Sequence, residues 1–448
     1  MPDDALGDDD VTGLVARLRR REVSPTELRT AVAERLAAVD PTVRGLGLDR
    51  TDAPVAGRAD APLAGVPTLV KENTDVAGWP TTNGSAAYEP RPARAHAAVT
   101  EQLLAAGLDL VGTSRMPEFG LNATTEFVDA EPTRNPHDPA HSAGASSGGA
   151  AALVAAGAVP LAHANDGGGS IRIPAAACGL VGLKPGRGRL ARSAHGALMP
   201  IDLVADGVVT RTVRDTALAF AAMSGEPRVE GPGRRLRVGV VLHSPAGGEV
   251  DTATRVAVQR AATALESAGH RVEPHAPAVG TAFVDDFLVY WGLLAFSVTA
   301  GGRAAFGPSF DRSRLDPLTR GLARHFATTA PRRPGFLRRL RALAYAEEFT
   351  HHDVLLSPVL AHRTPRLGWL HPAVPFDELA QRLVRYVGFT PLQNVAGAPA
   401  VAVPAGRAGT LPVGVQLAGR RGDERTLLEV AFELEAAAQD WGARAPTP

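Results

Sequence analysis

Residues 144–174, GASSGGAAALVAAGAVPLAHANDGGGSIRIP, contain two serine-bearing glycine clusters separated by an apolar, alanine-rich segment. The first cluster leads directly into AAALVAAGAV, which predicts that it caps the N-terminus of a helix, where free backbone N–H groups collect. The second cluster, Gly167 to Ser170, offers consecutive N–H groups without side chains that would block close approach. Such a cluster beside a hydroxyl nucleophile is typical of a backbone oxyanion hole.

Flexible linkers are also rich in glycine and serine, so either cluster alone is ambiguous. Here both clusters flank an apolar segment, and the second runs into IRIPAAACGLVGLKP (171–185), whose composition indicates protein core. The stretch is therefore predicted to be a structured site and not a linker.

The composition of the 448-residue chain is that of an ordinary globular protein, with 45% hydrophobic and 21% charged residues. Its 47 basic and 47 acidic residues balance, so charge gives no reason to expect nucleic acid or an anionic membrane as a partner. The acidic N-terminus lacks the features of a signal peptide, and no apolar run is long enough to span a bilayer. A single cysteine, Cys178, excludes an intramolecular disulfide and a thiolate-rich metal site. We expect a cytoplasmic protein.

The chain contains only two lysines, Lys71 and Lys184, and every other basic residue is arginine. Both lysines could be chance survivors of a bias toward arginine. Lysine, however, can lose its proton when buried, whereas arginine stays charged. Burial can bring a lysine pKa from about 10.4 toward roughly 7–8, where the amine works as a general base. Because Lys71 follows a short apolar strand pattern at 66–70, where sites form in α/β sheets, it is a candidate base.

The order of predicted elements indicates one mixed α/β domain with a helical insertion. Residues 10–39 predict two amphipathic helices split near Pro25, and residues 235–277 predict a strand–helix–strand unit. Residues 280–350 are helical and rich in aromatic side chains that could line a substrate pocket. The segment 115–143 is turn-rich and long for a structureless connection, which favours a functional loop.

Several catalytic and metal-binding motifs do not fit this sequence. Residues 144–148 match G-x-S-x-G, but the nucleophile elbow needs a buried strand immediately before it, and RNPHDPAHSA cannot form one. Neither lysine has a serine three positions before it, so S-x-x-K is absent. Cys178 lies in a core-like segment, where thiols are usually inert. His137 and His141, four residues apart in a proline-broken loop, are more typical of an exposed loop than of a metal pair.

Two serines and one lysine remain as the candidate catalytic set. A serine hydroxyl is a weak nucleophile until a base takes its proton. Lys71 could supply that base, and Ser146 could relay a proton between Lys71 and Ser170.

The sequence resembles the amidase signature family, in which a serine nucleophile, a second serine in a cis peptide and a lysine form the catalytic set. The resemblance is carried by GVPTLVKENTD (65–75), GTSRMPEF (112–119), GASSGGAAA (144–152), DGGGSIRIPAAACGLVGLKP (166–185) and NVAGAPAVAVPAG (394–406). It extends from about residue 10 to about residue 440 and is strongest over 60–220.

The resemblance implies the amidase signature fold, an α/β single domain with a central mixed β-sheet covered by helices on both faces. The amidase domain would span 1–448, with the signature core at about 60–220 and a helical substrate-pocket insertion at about 280–350.

Carried over residue by residue, the resemblance assigns Ser170 as the acyl-forming nucleophile, Ser146 as the bridging cis-serine and Lys71 as the base. The remaining assignments are the oxyanion hole at Gly167, Gly168, Gly169 and the Ser170 N–H, loop support from Asp166 and Arg172, and substrate binding at Met116 and Ser147. The resemblance implies neither a metal nor a cofactor.

The implied activity is hydrolysis of a carboxamide C–N bond in a small linear or cyclic amide, with a homodimer as one possible assembly and no nucleic-acid or membrane partner. Two alternatives stay open: one chain of a multi-chain amidotransferase, such as the A subunit of glutamyl-tRNA amidotransferase, and a catalytically idle scaffold homologue. Gly167 stands where threonine is commonest in the family. The D-G-G-G-S form resembles the branch that contains hydrolases of cyclic 6-aminohexanoate dimers, which favours an independent hydrolase.

If Lys71 acts as a neutral base, Lys71→Arg nearly abolishes turnover while leaving the fold intact, because arginine cannot lose its proton. Steady-state kinetics with an amide substrate and a circular dichroism spectrum measure the two effects. Retained activity would contradict this interpretation of the lysine.

Overall fold

The computed structural model describes residues 4–192, 196 and 199–437. The strands are β1 (Leu46–Asp49), β2 (Val66–Lys71), β3 (Leu108–Ser114), β4 (Arg134–Asn135), β5 (Asp138–Ser142), β6 (Leu161–Asp166), β7 (Val181–Lys184), β8 (Ala205–Thr210), β9 (Arg237–Val240), β10 (Arg271–Pro274), β11 (Val354–Pro358), β12 (Ala400–Ala408) and β13 (Leu411–Ala418).

The α-helices of the described residues are α1 (Val11–Arg19), α2 (Pro25–Val43), α3 (Ala98–Ala105), α4 (Gly148–Ala155), α5 (Arg172–Cys178), α6 (Val213–Ser224), α7 (Thr252–Ser267), α8 (Thr281–Phe306), α9 (Pro317–Thr329), α10 (Phe336–Arg341), α11 (Phe376–Tyr386), α12 (Pro391–Ala396) and α13 (Glu424–Ala437).

Eleven of these strands form one mixed sheet in the order β1-β3-β2-β6-β8-β7-β12-β13-β11-β9-β10, and β4 pairs with β5 separately. Strand β2 runs parallel to both β3 and β6, with Thr68 opposite Leu161. Because the carboxyl ends of parallel strands meet at the same edge of a sheet, Lys71 at the end of β2 comes close to the end of β6.

Helices cover both faces of the sheet, as the alternating side chains of β2 show. Val66 and Val70 point into a cluster that contains Val11 of α1 and Leu103 of α3. Leu69, between them, points into a different cluster with side chains of α2 and α4. Successive residues of a strand face opposite sides, so each face of β2 has its own helical layer. The expected mixed sheet with helices on both faces is confirmed.

Local sequence signals account for the first helices. Ser24 accepts the N–H of Glu27 at 3.2 Å, and the Glu27 carboxylate accepts the N–H of Ser24 at 2.8 Å, which is a capping box with Pro25 at the first helical position. The predicted split between α1 and α2 is therefore confirmed. Helix α2 continues to Val43, beyond the predicted end at residue 39.

The segment 235–277 follows the predicted order of elements. β9, α7 and β10 form the predicted strand–helix–strand unit, with β9 and β10 parallel. Two helices, α11 and α12, follow β11 in the chain. Residues 172–178, expected to be core, form the buried helix α5, and β1 lies at one edge of the sheet.

Helix α8 is the longest element of the 280–350 segment, which is helical as predicted. Within the described part of the chain it is the one helix that is long and apolar enough to cross a membrane, judged by length and composition alone. Of its most apolar stretch of 18 residues, 28% is buried in the protein. It packs against α9 and α10 and presents Phe287 and Trp291 to the cleft described below.

Candidate active site

The Lys71 amine is fully buried at the edge where β2 and β6 end together. Its Nζ lies 2.7 Å from Ser146 Oγ and 2.7 Å from the side-chain oxygen of Asn165, with a longer contact of 3.4 Å to the Asn165 carbonyl oxygen. The lysine and the first serine that the sequence singled out are thus in direct hydrogen-bond contact.

Burial lowers the pKa of Lys71 to about 7, because the charged form loses its solvation. The carboxylates of Asp166, Asp206 and Glu72 act in the opposite direction but do not offset burial. A large fraction of the amine is therefore neutral near pH 7 and can accept a proton. Because Lys71 has no exposed surface, the larger guanidinium of Lys71→Arg must displace neighbours, so the expectation that this variant leaves the fold intact does not suit the buried site. Lys71→Met is the better-matched variant, since it removes the amine while retaining a similar length.

A buried histidine–aspartate pair supports the main chain beneath Lys71. The Lys71 N–H donates to His163 Nδ1 at 3.2 Å, which leaves the ring proton on Nε2, 3.1 Å from Asp206 Oδ1. Both side chains are buried. This pair fixes the end of β2 through its backbone, and no feature of the sequence pattern had indicated it.

Ser146 follows a sharp change in chain direction. The peptide bond between Ala145 and Ser146 is cis, and Gly144 has a φ of 77°. Helix α4 begins two residues later, as the glycine-to-alanine pattern predicted. The N–H of Ser147 donates to the Ser170 carbonyl oxygen at 3.3 Å, which joins the two glycine clusters.

The second glycine cluster is a tight turn folded around the Asp166 carboxylate. Asp166 accepts the N–H groups of Gly169 at 2.7 Å, Ile171 at 3.2 Å and Arg172 at 3.4 Å. Gly169 has a φ of 131°, and a Cβ there would lie 2.7 Å from Ile173 Cδ1, so this position requires glycine. From the other side, Thr390 donates to the Gly168 carbonyl oxygen at 2.6 Å.

This turn corrects one expected role. The Gly169 N–H points at Asp166 and is not available to a substrate oxygen, so Gly169 shapes the turn and is not an oxyanion donor. Among the described residues, the N–H groups of Gly167, Gly168 and Ser170 have no acceptor. Those three are the donors that the geometry leaves for an oxyanion.

Arg172 holds the Asp166 turn from inside the protein. It is fully buried, and its Nε and Nη2 donate to the two Asp166 oxygens, each at 2.9 Å. Its other N–H bonds go to the side-chain oxygens of Gln393, Gln416 and Asn394. All five guanidinium N–H groups are therefore satisfied. This partner keeps the pKa of Asp166 well below its usual range in spite of burial, so the carboxylate stays ionised.

Ser170 lies on the wall of a largely apolar cleft that is partly open to solvent. The lining comes from α8, α9 and α11 and from residues 120–123, with Phe287, Trp291 and Leu322 among the large side chains. No charged side chain is found among the described residues that line it. Asn122, a polar lining residue, already bonds the Leu370 carbonyl oxygen and the Ala123 N–H.

The two residues predicted to bind substrate do not line the cleft. Met116 and Ser147 are fully buried, and neither is among the described residues that line the cleft. The Met116 N–H donates to Glu72, and the Ser147 hydroxyl donates to the Asn165 carbonyl oxygen. Their contacts are those of structural side chains, and substrate binding by them remains a prediction.

Residues outside the predicted set also shape the site. Asn394 bonds both Asp166 and Arg172, and it falls within the quoted motif at 394–406. Asn165 directly precedes Asp166 in the sequence, and this position beside a predicted site residue could have identified it as a further candidate. Thr390 and the α11 side chains carry no sequence signal that links them to residues more than 200 positions earlier.

The thiol and the two loop histidines have separate surroundings. Cys178 is buried, which raises the pKa of its thiol and leaves it unreactive. His137 Nε2 lies 3.0 Å from the Cys178 carbonyl oxygen, and His141 Nδ1 lies 2.9 Å from Asp138.

Several known proteins are similar to this chain over nearly its whole length. The family model described as Amidase matches residues 47–428. The putative amidase AmiC of Mycobacterium leprae (strain TN) is 45% identical over 97% of this chain and 96% of its own. The A subunit of the glutamyl-tRNA(Gln) amidotransferase of Thermus thermophilus is 34% identical over 96% of this chain and 98% of its own. The solved structure of 6-aminohexanoate cyclic dimer hydrolase complexed with substrate superposes with a TM-score of 0.87 at 29% identity, covering 99% of both chains.

Removing the guanidinium of Arg172 leaves Asp166 as an unpaired buried charge. We expect Arg172→Met to lower the free energy of unfolding by about 3–5 kcal/mol, measured by urea denaturation at neutral pH. Arg425→Met, which breaks the exposed Arg425–Glu429 pair on α13, is the matched control and should cost about 1 kcal/mol or less. Equal losses for the two variants would contradict the role assigned to the buried pair.

Proposed function

The chain belongs to the amidase signature family and is an amidohydrolase, and from that premise we propose that it cleaves a carboxamide through an acyl-enzyme on Ser170. In this proposal Ser146 relays the proton of Ser170 to Lys71. The observation that carries the assignment is the 2.7 Å contact between a fully buried amine and Ser146 Oγ, since a buried neutral amine beside a hydroxyl is a competent base.

Acylation begins with two coupled proton transfers. Neutral Lys71 takes the Ser146 proton while Ser146 takes that of Ser170, whose oxygen attacks the carbonyl carbon of the substrate. The relay requires the two hydroxyls to come within hydrogen-bond distance, and they stand on segments joined by the Ser147–Ser170 bond. The N–H groups of Gly167, Gly168 and Ser170 would stabilise the oxyanion, each donor contributing about 10²–10³ in turnover.

Collapse of the tetrahedral intermediate breaks the C–N bond. The departing amine receives the proton held by Lys71, returned through Ser146, and leaves Ser170 as an ester. Water then adds to that ester, its proton passing along the same relay to Lys71, and the second collapse releases the carboxylic acid as Ser170 recovers its proton. Over the two steps one water molecule is consumed for each amide that is cleaved. Lys71, Ser146 and Ser170 return to their starting protonation states.

The cleft favours an amide whose larger substituent is neutral and apolar. Its described lining contains no charged side chain, and the polar atoms of Asn122 already have protein partners. A carboxylate or ammonium on the substrate would lose its hydration without gaining a counter-charge. The likeness to a hydrolase of 6-aminohexanoate cyclic dimer, a neutral cyclic amide, supports the same substrate class.

A second candidate function is that of one chain in a multi-chain amidotransferase, which the 34% identity to the A subunit of a glutamyl-tRNA(Gln) amidotransferase favours. In that case the chain would need partner chains for its physiological reaction. Purified chain that elutes as a monomer or homodimer and releases amine unaided would exclude this candidate. Tight co-purification with other chains and no hydrolysis alone would favour it over the independent hydrolase.

Ser170→Ala should eliminate covalent labelling by a fluorophosphonate probe and reduce amide hydrolysis by about 10⁴-fold or more, because no other hydroxyl lies in the glycine turn. Intact-protein mass spectrometry measures the labelling. Ser297→Ala, an exposed serine on α8, is the matched control and should label like the natural enzyme. Labelling that survives Ser170→Ala would overturn the assignment of the nucleophile.

Three 4-nitroanilides of equal chain length test the substrate class: hexanoyl, 6-aminohexanoyl and the mono-anilide of hexanedioic acid. We expect kcat/KM to be at least about tenfold higher for the neutral hexanoyl compound, because either terminal charge would enter an apolar cleft. Release of 4-nitroaniline is followed by absorbance. A charged anilide that reacts as fast as the neutral one would contradict an apolar recognition site.

A further inference from the structure

Asn165 presents two oxygens to the Lys71 amine. Its side-chain oxygen lies 2.7 Å from Nζ and its carbonyl oxygen 3.4 Å, while Ser146 Oγ is on the amine at 2.7 Å. Among the described residues these three oxygens are the hydrogen-bond partners of Nζ. One residue therefore supplies two of the three.

The two oxygens of Asn165 match the number of N–H bonds on a neutral amine. A neutral amine has two N–H bonds and one lone pair, and it acts as a base only through the lone pair. We propose that Asn165 is a positioning residue whose two oxygens accept both N–H bonds of neutral Lys71, so that the lone pair points at the Ser146 hydroxyl. This inference rests on the proposed role of Lys71 as the base.

The orientation of the Asn165 amide is fixed by its neighbours. Its Nδ2 donates to Asn73 Oδ1 at 3.0 Å, and that oxygen also accepts the Thr74 hydroxyl at 3.3 Å. Its carbonyl oxygen is held by the Ser147 hydroxyl at 3.3 Å. The residue is only 8% exposed. With the amide reversed, an N–H would face the lone pair of Lys71 and compete with Ser146 for it.

An uncharged acceptor is required at this distance. The carboxylates that act on Lys71 are Asp166, Asp206 and Glu72, and each has its own donors: Arg172 for Asp166, His163 for Asp206, and the Met116 N–H with the Thr82 hydroxyl for Glu72. A carboxylate in contact with Nζ would instead favour the ammonium form, which has no lone pair. An amide orients the amine without adding that charge.

The two lysines of the chain make a direct test practical. Protein labelled with [ε-¹³C]lysine gives one signal for Lys71 and one for Lys184, assigned by the loss of one signal in Lys71→Met. Lys184 is also fully buried, and burial likewise lowers its pKa to about 7, but its amine donates to the Pro185 carbonyl oxygen. It is therefore an internal control for both folding and general electrostatics in every spectrum.

In this titration, Asn165→Asp should raise the pKa of Lys71 by roughly one to three pH units. Asn165→Leu should lower the pKa of Lys71, because an acceptor of the ammonium form is lost. The Lys184 signal should keep its position and midpoint in both variants. We expect kcat at pH 7 to fall about fivefold or more in each, for different reasons: a protonated amine in Asn165→Asp and a misdirected lone pair in Asn165→Leu. Gln259→Glu, an exposed amide-to-carboxylate change on α7, should alter neither signal.

Opposite shifts confined to Lys71 are the result that a merely structural role of Asn165 would not produce. The proposal is overturned if the Lys71 midpoint is the same in Asn165→Asp as in the natural protein, or if Lys71 and Lys184 shift together. A variant that fails to fold is recognised by loss of the native Lys184 signal, and the other variant then decides. Because the titration needs no turnover, its outcome is separate from the Ser170→Ala labelling test of the proposed function.

Discussion

The burial of a single amine sets the conditions for the rest of this site. Lys71 can be a base near neutral pH only if water and unpaired negative charge are both kept away from Nζ. Water is excluded because β2 is buried on both faces by helical layers. The charge of Asp166, on the neighbouring strand, is directed into Arg172 and three backbone N–H groups. The oxygens in contact with Nζ are the uncharged ones of Asn165 and Ser146.

The same carboxylate therefore serves two purposes. It closes the glycine turn that carries Ser170, and its pairing with Arg172 limits its influence on Lys71. The parallel pairing of β2 and β6 brings residues 71 and 165–166 to one edge of the sheet, which places this carboxylate near the amine. The apolar cleft also keeps other charges away on the substrate side. In such an environment N–H donors interact more strongly with an oxyanion.

Much of this arrangement could be predicted from the sequence because it depends on local signals. The glycine-to-alanine transition predicted α4, the helical pattern broken near Pro25 predicted α1 and α2, and the scarcity of lysine drew attention to Lys71. The resemblance to the amidase signature family supplied the fold, which the mixed sheet and its two helical layers confirm. The assignments of Ser146, Ser170 and Lys71 remain proposals, now supported by the Lys71–Ser146 contact.

What the sequence could not supply are contacts that depend on distant pairing. His163 supports Lys71 through a register that only the assembled sheet defines, and Thr390 reaches Gly168 across more than 200 residues. The Gly169 N–H was expected to serve the oxyanion because consecutive glycines look equivalent in sequence. The turn around Asp166 makes them different, since a φ of 131° directs that N–H inward.

The pH dependence of kcat/KM for a neutral amide tests the central claim most directly. Because only the neutral amine can take the Ser146 proton, activity should decline as pH falls through about 7, the pKa of Lys71, and approach a tenfold loss per pH unit below it. A profile that stays level from about pH 8 to about pH 5 would show that the working group is not a buried amine with this pKa, and would contradict the account.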